Sequence, residues 1–346
     1  MTRNPRAFLT LTFTTPLLLA GDWRGERAVF QPKAGTTLTK TIEIEGDLEL
    51  EEMKVLVGGQ DMSERMPQME MSMKHHQKLV VADTYVEVGD GRPQRLERGY
   101  EVISSNTVSS GSTPMGDQES DLDFESELEG AKVVFTQEDG YRIAFAEGEK
   151  GDEKLHDGLE EDIDLRGFLA PGEMDEGDTW KITGEAVKNM LVPGGDLKLR
   201  PAEGNESMPG MESMNFSPSD MLSELEGTFE ATFAGTRSED GVKVAVIRLA
   251  LDGTSANDLT ERMQAMMESV PDERARAMKI SSFDGEWEYE AEGELLWNLE
   301  AGHVQGLTLS GELRMIMDVT MELGENEMEL SQTYAGNQTI SFTTSN

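Results

Sequence analysis

Residues 283–299 read FDGEWEYEAEGELLWNL, and their alternation decides the fold class. Alternate positions from Phe283 carry aromatic, aliphatic or small residues, whereas every second position from Glu286 to Glu294 is glutamate. Successive side chains of a β-strand point to opposite faces of its sheet. The period of two therefore predicts a long strand with one apolar face and one acidic face.

The same pattern resumes twice downstream. Residues 307–323 alternate after a turn at 300–303, and a turn at 324–327 leads to a third run that ends near Phe342. Connections this short favour hairpins, so we predict a three-stranded antiparallel meander. A strand over 307–323 would span about 55 Å, which is well beyond the usual length. Glycines inside the runs, such as Gly293 and Gly311, predict a strongly curved sheet.

Most of the remaining chain also has the character of strands. Residues 228–237 and 242–251 flank a turn, and further strands are predicted near 36–45, 47–57, 68–88, 93–104, 131–137 and 141–147. Two short helices are predicted, over 183–191 and over 255–269, the second with a capping box from Ser255 to Asp258. Residues 104–128 are polar and are predicted to be a loop. The predicted fold class is all-β, with long, curved antiparallel sheets in hairpin and meander topology.

The N-terminus predicts export. Residues 1–20 combine two arginines with an uncharged, mostly apolar stretch, as in a secretory signal peptide. We expect cleavage near Ala20, no membrane span afterwards, and a soluble protein in the periplasm, the cell envelope or the extracellular space. Residues 201–222 are rich in Gly, Pro, Ser and Met, and we predict a linker there between an N-terminal part (29–200) and a C-terminal part (223–346).

Composition excludes several classes of function. The chain of 346 residues has 68 acidic and 30 basic side chains, for a net charge of -38. Nucleic-acid binding depends on clustered Lys and Arg, so we expect no nucleic-acid partner. The same charge argues against docking on an anionic membrane. No cysteine is present, which excludes disulfides, thiolate zinc sites and iron–sulfur clusters.

Three segments resemble stretches of uncharacterised, exported, β-rich bacterial proteins, which are grouped as domains of unknown function. They are YVEVGDGRPQRL (85–96), GDTW (177–180) and GTRSEDGVKVAVI (235–247). The resemblance implies a bacterial envelope or secreted protein and supplies no catalytic residues. The predicted architecture is also similar to that of periplasmic lipoprotein carriers and lipid-binding envelope proteins.

The apolar face of the meander is the first candidate site. It is predicted to be lined by Phe283, Trp287, Tyr289, Trp297, Leu309, Leu313 and Met315. A helix or the other half of the chain could cover this face completely, which would make it an ordinary core. Incomplete cover would leave room for a lipid or another apolar small molecule.

A methionine-rich stretch is the second candidate. Met69, Met71, Met73 and His75 would share one face of a strand, and thioether and imidazole ligands suit copper, Cu(I) especially. The alternative is that these methionines fill a core, as soft side chains commonly do.

Motifs of catalysis are missing from the sequence. It has no GxSxG, HExxH, P-loop or GxGxxG pattern. We therefore predict a non-enzymatic envelope protein with a binding or structural role. A copper-binding periplasmic protein and an unrecognised hydrolase stay open as alternatives, since a glycosidase needs only two carboxylates.

Overall fold

The computed structural model describes residues 25–63, 70–113, 116–202, 222, 224–269, 279–323 and 326–345. The predicted signal peptide, residues 1–20, lies outside them. The first nine strands are β1 (Thr37–Val57), β2 (Gln60–Asp61), β3 (Glu70–Gly89), β4 (Arg92–Thr113), β5 (Gly116–Ser126), β6 (Lys132–Glu138), β7 (Gly140–Phe145), β8 (Thr179–Lys181) and β9 (Leu199–Pro201). They are followed by β10 (Glu226–Glu239), β11 (Val242–Asp258), β12 (Lys279–Asn298), β13 (His303–Leu323) and β14 (Asn326–Ser345). The α-helices are α1 (Gly184–Leu191) and α2 (Thr260–Ser269).

These strands form one 14-stranded sheet, which confirms the predicted all-β class. Its order is β7-β6-β4-β3-β1-β14-β13-β12-β11-β10-β8, with β2 beside β1, β5 beside β4, and β9 beside β5. Every pairing is antiparallel. Among the described residues, no helix is long and apolar enough to cross a membrane.

The predicted meander is confirmed as β12, β13 and β14. In β12 the glutamates at 286, 290 and 292 are exposed, while Tyr289, Ala291 and Leu295 between and beside them are buried. We call the buried side the inner face. One row of it runs across eight strands and is apolar throughout: Ile103, Leu79, Ile42, Phe342, Leu307, Leu295, Ile247 and Phe233. Burial of such rows holds the sheet together.

The two predicted parts of the chain share this sheet. Strand β1 pairs with β14 from Thr39 opposite Ser345 to Val57 opposite Met328. The predicted linker at 201–222 lies mostly outside the described residues, but the strands on either side of it belong to one hydrogen-bonded array. Residues 36–45 and 47–57, predicted as two strands, are the single strand β1, because Gly46 continues the pairing with β14 and β3.

The predicted loop over 104–128 is wrong. Strands β4 and β5 occupy most of it and pair from Ser105–Phe124 to Thr113–Gly116. The alternation of apolar residues is weak here because polar side chains bond across the strands. The Asn106 amide donates to Asp121 Oδ1 at 2.7 Å and to Asp123 Oδ1 at 2.9 Å. Cross-strand hydrogen bonds of this kind support a strand without an apolar stripe.

Of the two predicted helices, one is confirmed and one begins later than expected. Helix α1 has Thr183 as its N-cap, whose Oγ1 accepts a hydrogen bond from Ala186 N at 3.2 Å. The helix predicted over 255–269 begins only at Thr260. Ser255 is instead a buried residue of β11, opposite Trp287, so the proposed capping box is wrong. Asp258 accepts a hydrogen bond from Thr260 N at 2.9 Å and marks the passage from strand to helix.

The chain between β7 and β10 packs on the inner face. Its residues Ile163, Phe168 and Val187 belong to the same buried core as the inner-face residues of both halves of the sheet. Within this stretch β8 pairs with β10 and β9 pairs with β5, which lie far apart in the strand order. The sheet therefore curves around this segment, and its concave side contains the core.

Candidate functional site

The predicted apolar-face residues all lie on the inner face, but not in one environment. Trp297, Leu309, Leu313, Tyr289 and Met315 are buried in the main core. Phe283 belongs to a second, smaller cluster in which Leu259 and Met263 cover the end of β12. Trp287 is only partly buried. The inner face is therefore a filled core around Trp297, which is one of the two predicted alternatives. It is less completely covered near Trp287.

Exposure of the inner face rises toward the end of the sheet that carries Trp287. At the opposite end Leu38, Val81 and Trp297 are fully buried. Toward Trp287 the apolar inner-face side chains Leu50, Met71, Met73 and Met317 remain partly accessible. We call this less completely covered end of the inner face the inner hollow. By strand register, its inner-face residues include Gly46, Leu50, Met71, Met73, His75, Trp287, Tyr289, Met317, Tyr334 and Gln338.

Gly46 gives the inner hollow room. A Cβ atom built on Gly46 would lie 4.0 Å from His75 Cβ and, outside the adjacent residues, would meet no other described atom within that range. Gly311, on the same row of the inner face, is the opposite case. A Cβ there would lie 2.2 Å from Glu290 O and 2.4 Å from Ala291 Cβ, because β12 and β13 approach closely. Among the described residues, the concave face is therefore tight at Gly311 and open at Gly46.

Three polar atoms of the wall have no hydrogen-bond partner among the described residues. They are Trp287 Nε1, Tyr289 Oη and Gln338 Oε1, and each atom is buried. Burial also raises the pKa of the Tyr289 phenol, so it stays protonated and can donate. A buried polar group without a partner costs about 1–3 kcal/mol.

The methionine-rich candidate forms part of the same wall. Met71, Met73 and His75 share the inner face of β3, as predicted, whereas Met69 lies outside the described residues. Tyr334 Oη donates to Met71 Sδ at 3.8 Å. His75 Nδ1 lies 3.1 Å from Thr107 Oγ1, and burial, with a smaller contribution from His76, lowers the pKa of His75. The lowered pKa favours the neutral ring that a metal ligand requires.

Met71 and Met73 also pack against the main core, so their position suits the core-filling alternative as well as a metal site. Copper binding at these side chains stays a prediction. Within the described ranges, no group of three or more His, Asp or Glu side chains is arranged to hold a metal ion.

A buried network of charges lies at the closed end of the inner face. Lys40 Nζ is 2.7 Å from Asp83 Oδ2 and 2.8 Å from Asp164 Oδ1, and Arg98 bonds both oxygens of Asp83 at 2.8 and 3.0 Å. All four side chains are completely buried. Burial by itself would raise the pKa of Asp83, but Arg98 and Lys40 outweigh it and hold that pKa below its usual range.

This network fixes the internal segment to the sheet. Arg98 also donates to the backbone oxygens of Glu160 at 3.0 Å and Glu161 at 2.8 Å, and Tyr85 Oη donates to Asp164 Oδ1 at 2.7 Å. Each donor comes from β3 or β4, and each acceptor comes from the segment after β7. We assign the network a structural role, because its two positive and two negative side chains are sealed from solvent and pair with one another. Only Asp164 Oδ2, of the eight side-chain oxygen and nitrogen atoms in these contacts, is buried without a partner among the described residues.

This network is not among the sites predicted from the sequence, although the sequence contains a signal for it. Lys40 stands between Leu38 and Ile42 in the inner-face alternation of β1, and Asp83 and Arg98 occupy the corresponding positions of β3 and β4. The alternation places these three charged residues, two basic and one acidic, on the apolar faces of their strands. Charged residues at such positions predict a buried ion pair or triad. Which strands are neighbours had to be known before the three could be placed together.

No family model and no curated protein matches the chain. Among solved structures, the outer membrane protein OprG from Pseudomonas aeruginosa is 6% identical, over 92% of this chain and 97% of that chain, at a TM-score of 0.22. An outer membrane channel from Pseudomonas putida F1 is 8% identical, over 90% of this chain and 97% of that chain, at a TM-score of 0.17. Values this low do not establish a shared fold, so neither likeness bears on the function of this chain.

Proposed function

We propose that this chain is an exported, non-enzymatic envelope protein that binds a lipid or another apolar ligand in the inner hollow. The observation that carries the proposal is the room that the described residues leave at Gly46, within a wall whose apolar side chains remain partly accessible. Export is supported by the signal-like residues 1–20.

The chemistry of the wall suits an apolar ligand. Leu50, Met71, Met73 and Met317 offer flexible and aliphatic contact surface, and methionine adapts its shape to its neighbours. Burying a ligand chain of several methylenes gains about 0.8 kcal/mol for each one. Trp287 and Tyr289 add aromatic surface, each with a polar atom that has no partner among the described residues.

A fluorescent apolar probe tests this function. We expect N-phenyl-1-naphthylamine to bind the wild-type protein with increased emission. Gly46→Leu places a side chain in the open space and should weaken binding at least tenfold. Gly46→Ala is the matched control, because its single methyl group would meet, among the described residues, only His75 Cβ at ordinary contact distance. It should bind the probe as the wild type does.

Two results would contradict the proposal. The first is a wild-type protein that does not bind the probe. The second is equal binding by the wild type and by a Gly46→Leu variant whose circular dichroism and melting curve match the wild type. Should that variant fail to fold, Met73→Trp fills the same hollow from β3 and is judged by the same criterion.

A further inference from the structure

The buried network of charges continues beyond the sheet to Glu161. The Arg166 guanidinium donates to Glu161 Oε2 through Nη2, and its Nε lies 3.1 Å from Asp162 Oδ1. The Glu161 side chain is only 2% exposed, whereas those of Arg166 and Asp162 are 14% and 26% exposed. One cation thus serves two carboxylates, and Glu161 is the more deeply buried of them.

The extended network has one carboxylate more than it has cations among the described residues. Its three cations are Lys40, Arg98 and Arg166, and its four carboxylates are Asp83, Asp164, Glu161 and Asp162. With every group ionised, the net charge of the network is three minus four, or -1. A charge without compensation is strongly unfavourable in a protein interior, so a buried carboxyl in this situation takes up a proton.

Glu161 is the buried carboxyl with the weakest compensation. Asp83 accepts hydrogen bonds from two cations at 2.7 to 3.0 Å. Asp164 Oδ1 lies 2.8 Å from Lys40 Nζ and accepts from the Tyr85 hydroxyl at 2.7 Å. Glu161 shares its cation, and its Oε1 is buried without a hydrogen-bond partner among the described residues. A proton on Glu161 therefore removes the surplus charge where it is least compensated.

Charged and titratable groups face Glu161 from several elements. Those nearest to it are Arg166, Asp162 and Asp164 of its own segment, Arg98 of β4 and Tyr141 of β7, and behind them lie Lys40 of β1, Asp83 of β3 and His303 of β13. Burial raises the pKa of Glu161 to about 7 against the lowering effect of the two arginines, and the two aspartates of its segment add to the rise. Burial also raises the pKa of the Tyr141 phenol to about 12, so this group stays neutral.

Glu161 lies where the internal segment is attached to the sheet. Arg98 donates to the backbone oxygens of Glu160 at 3.0 Å and of Glu161 at 2.8 Å. Phe168, a few residues further on, is buried in the main core. Ionisation of Glu161 places the surplus charge beside this attachment, and it therefore weakens the hold of the sheet on residues 159–169.

We propose that Glu161 is a proton-dependent latch between residues 159–169 and the concave face of the sheet. With its carboxyl protonated, the network is neutral and the stretch is held closed. When the proton leaves to solvent, the network becomes negative and the stretch opens more often. This device does not depend on ligand binding in the inner hollow.

The direction of the pH dependence follows from the proton affinity of the folded protein. Because the folded protein binds the proton of Glu161 more tightly than the unfolded chain does, the contribution of this proton to stability is fully present below pH 4.5. It is lost as the pH rises through about 7.

Urea-induced unfolding and amide hydrogen exchange at pH 5 and pH 8 test the latch on the wild type and on Glu161→Gln, which has the shape of the protonated side chain and cannot ionise. From pH 5 to pH 8 the folding equilibrium constant of the wild type should fall about tenfold or more relative to that of Glu161→Gln. Exchange protection of residues 159–169, measured against that of β13, should fall in the wild type only. Glu149→Gln, at an exposed glutamate after β7, is the matched control and should keep the wild-type pH dependence.

Infrared difference spectra add a readout of the proton itself. The wild type should lose the C=O band of a protonated carboxyl as the pH rises through about 7, and this change should be missing from Glu161→Gln. The latch is overturned if the wild type shows no such band, or if exchange protection of residues 159–169 depends on pH equally in the two proteins. Should Glu161→Gln fail to fold, the wild type decides alone: protection of residues 159–169 that does not fall relative to β13 between pH 5 and pH 8 overturns the proposal.

Discussion

Asp83 is the residue whose replacement most directly tests the account of the buried network. Its carboxylate receives Lys40 at 2.7 Å and Arg98 at 2.8 and 3.0 Å, with all three side chains sealed from solvent. Asp83→Asn keeps the shape and removes the charge, which leaves two buried cations facing the single carboxylate of Asp164. Removing one partner of a buried ion pair costs about 3–5 kcal/mol, and we expect this range.

The matched control is an exposed pair of the same type. Lys74 Nζ lies 3.2 Å from Asp47 Oδ2, and both side chains are more than half exposed. Exposed pairs contribute about 0–1 kcal/mol, so Asp47→Asn should change stability by no more than that.

Urea-induced unfolding at pH 7, followed by far-UV circular dichroism and by tryptophan fluorescence, measures both variants. The free energy of unfolding should fall by about 2–5 kcal/mol more for Asp83→Asn than for Asp47→Asn, which is the difference between the ranges expected for a buried and an exposed pair. Equal losses for the two variants would refute the reasoning that the buried network holds the internal segment.

Two further predictions concern the inner face. Gly311→Ala forces a methyl group toward Glu290 O and Ala291 Cβ, and we expect the free energy of unfolding to fall by roughly 1–3 kcal/mol or more. Gly46→Ala should leave the melting temperature nearly unchanged, because the new methyl group has room among the described residues. Similar losses of stability for the two variants would contradict this difference in packing. Burial lowers the pKa of His75 in the folded protein, and its strand neighbours Gly46 and Thr107 are uncharged. As the pH falls, the imidazole is therefore protonated in the unfolded chain before it is protonated in the folded protein. Its contribution to stability is then present above about pH 6.5 and is lost as the pH falls below it. His75→Gln should reduce the slope of unfolding free energy against pH in that window, and an unchanged slope would argue against a buried neutral ring.

The long C-terminal strands could be predicted from sequence because burial acts on only one of their faces. The glutamates from 286 to 294 stand on the exposed side and the aromatic residues on the buried side, so composition alone reveals the period of two. The same reasoning failed for β4 and β5, where Asn106 bonds two aspartates across the strands and polar residues stand on both faces. It also ended β11 too early, because Ser255 is a buried polar residue at a position where the pattern suggests a helix cap.

The candidate site was predictable only in part. Alternation placed Trp287, Tyr289, Met71, Met73 and His75 on buried faces of their strands, and the structure has them there. These strands form one wall because β1 pairs with β3 on one side and with β14 on the other. Such long-range pairing cannot be deduced from the alternation of residues within a single strand. The room that the described residues leave at Gly46 depends on which side chains lie opposite this residue in the folded sheet. The sequence around residue 46 alone therefore does not predict it.

Native mass spectrometry shows whether a ligand occupies the inner hollow. The wild-type protein and Gly46→Leu are each incubated with 1-tetradecanol, transferred to a volatile buffer and weighed intact. We expect a one-to-one adduct of the alcohol on the wild type that is absent from Gly46→Leu. A wild-type protein that carries no adduct, or an adduct of equal abundance on both proteins, would contradict it.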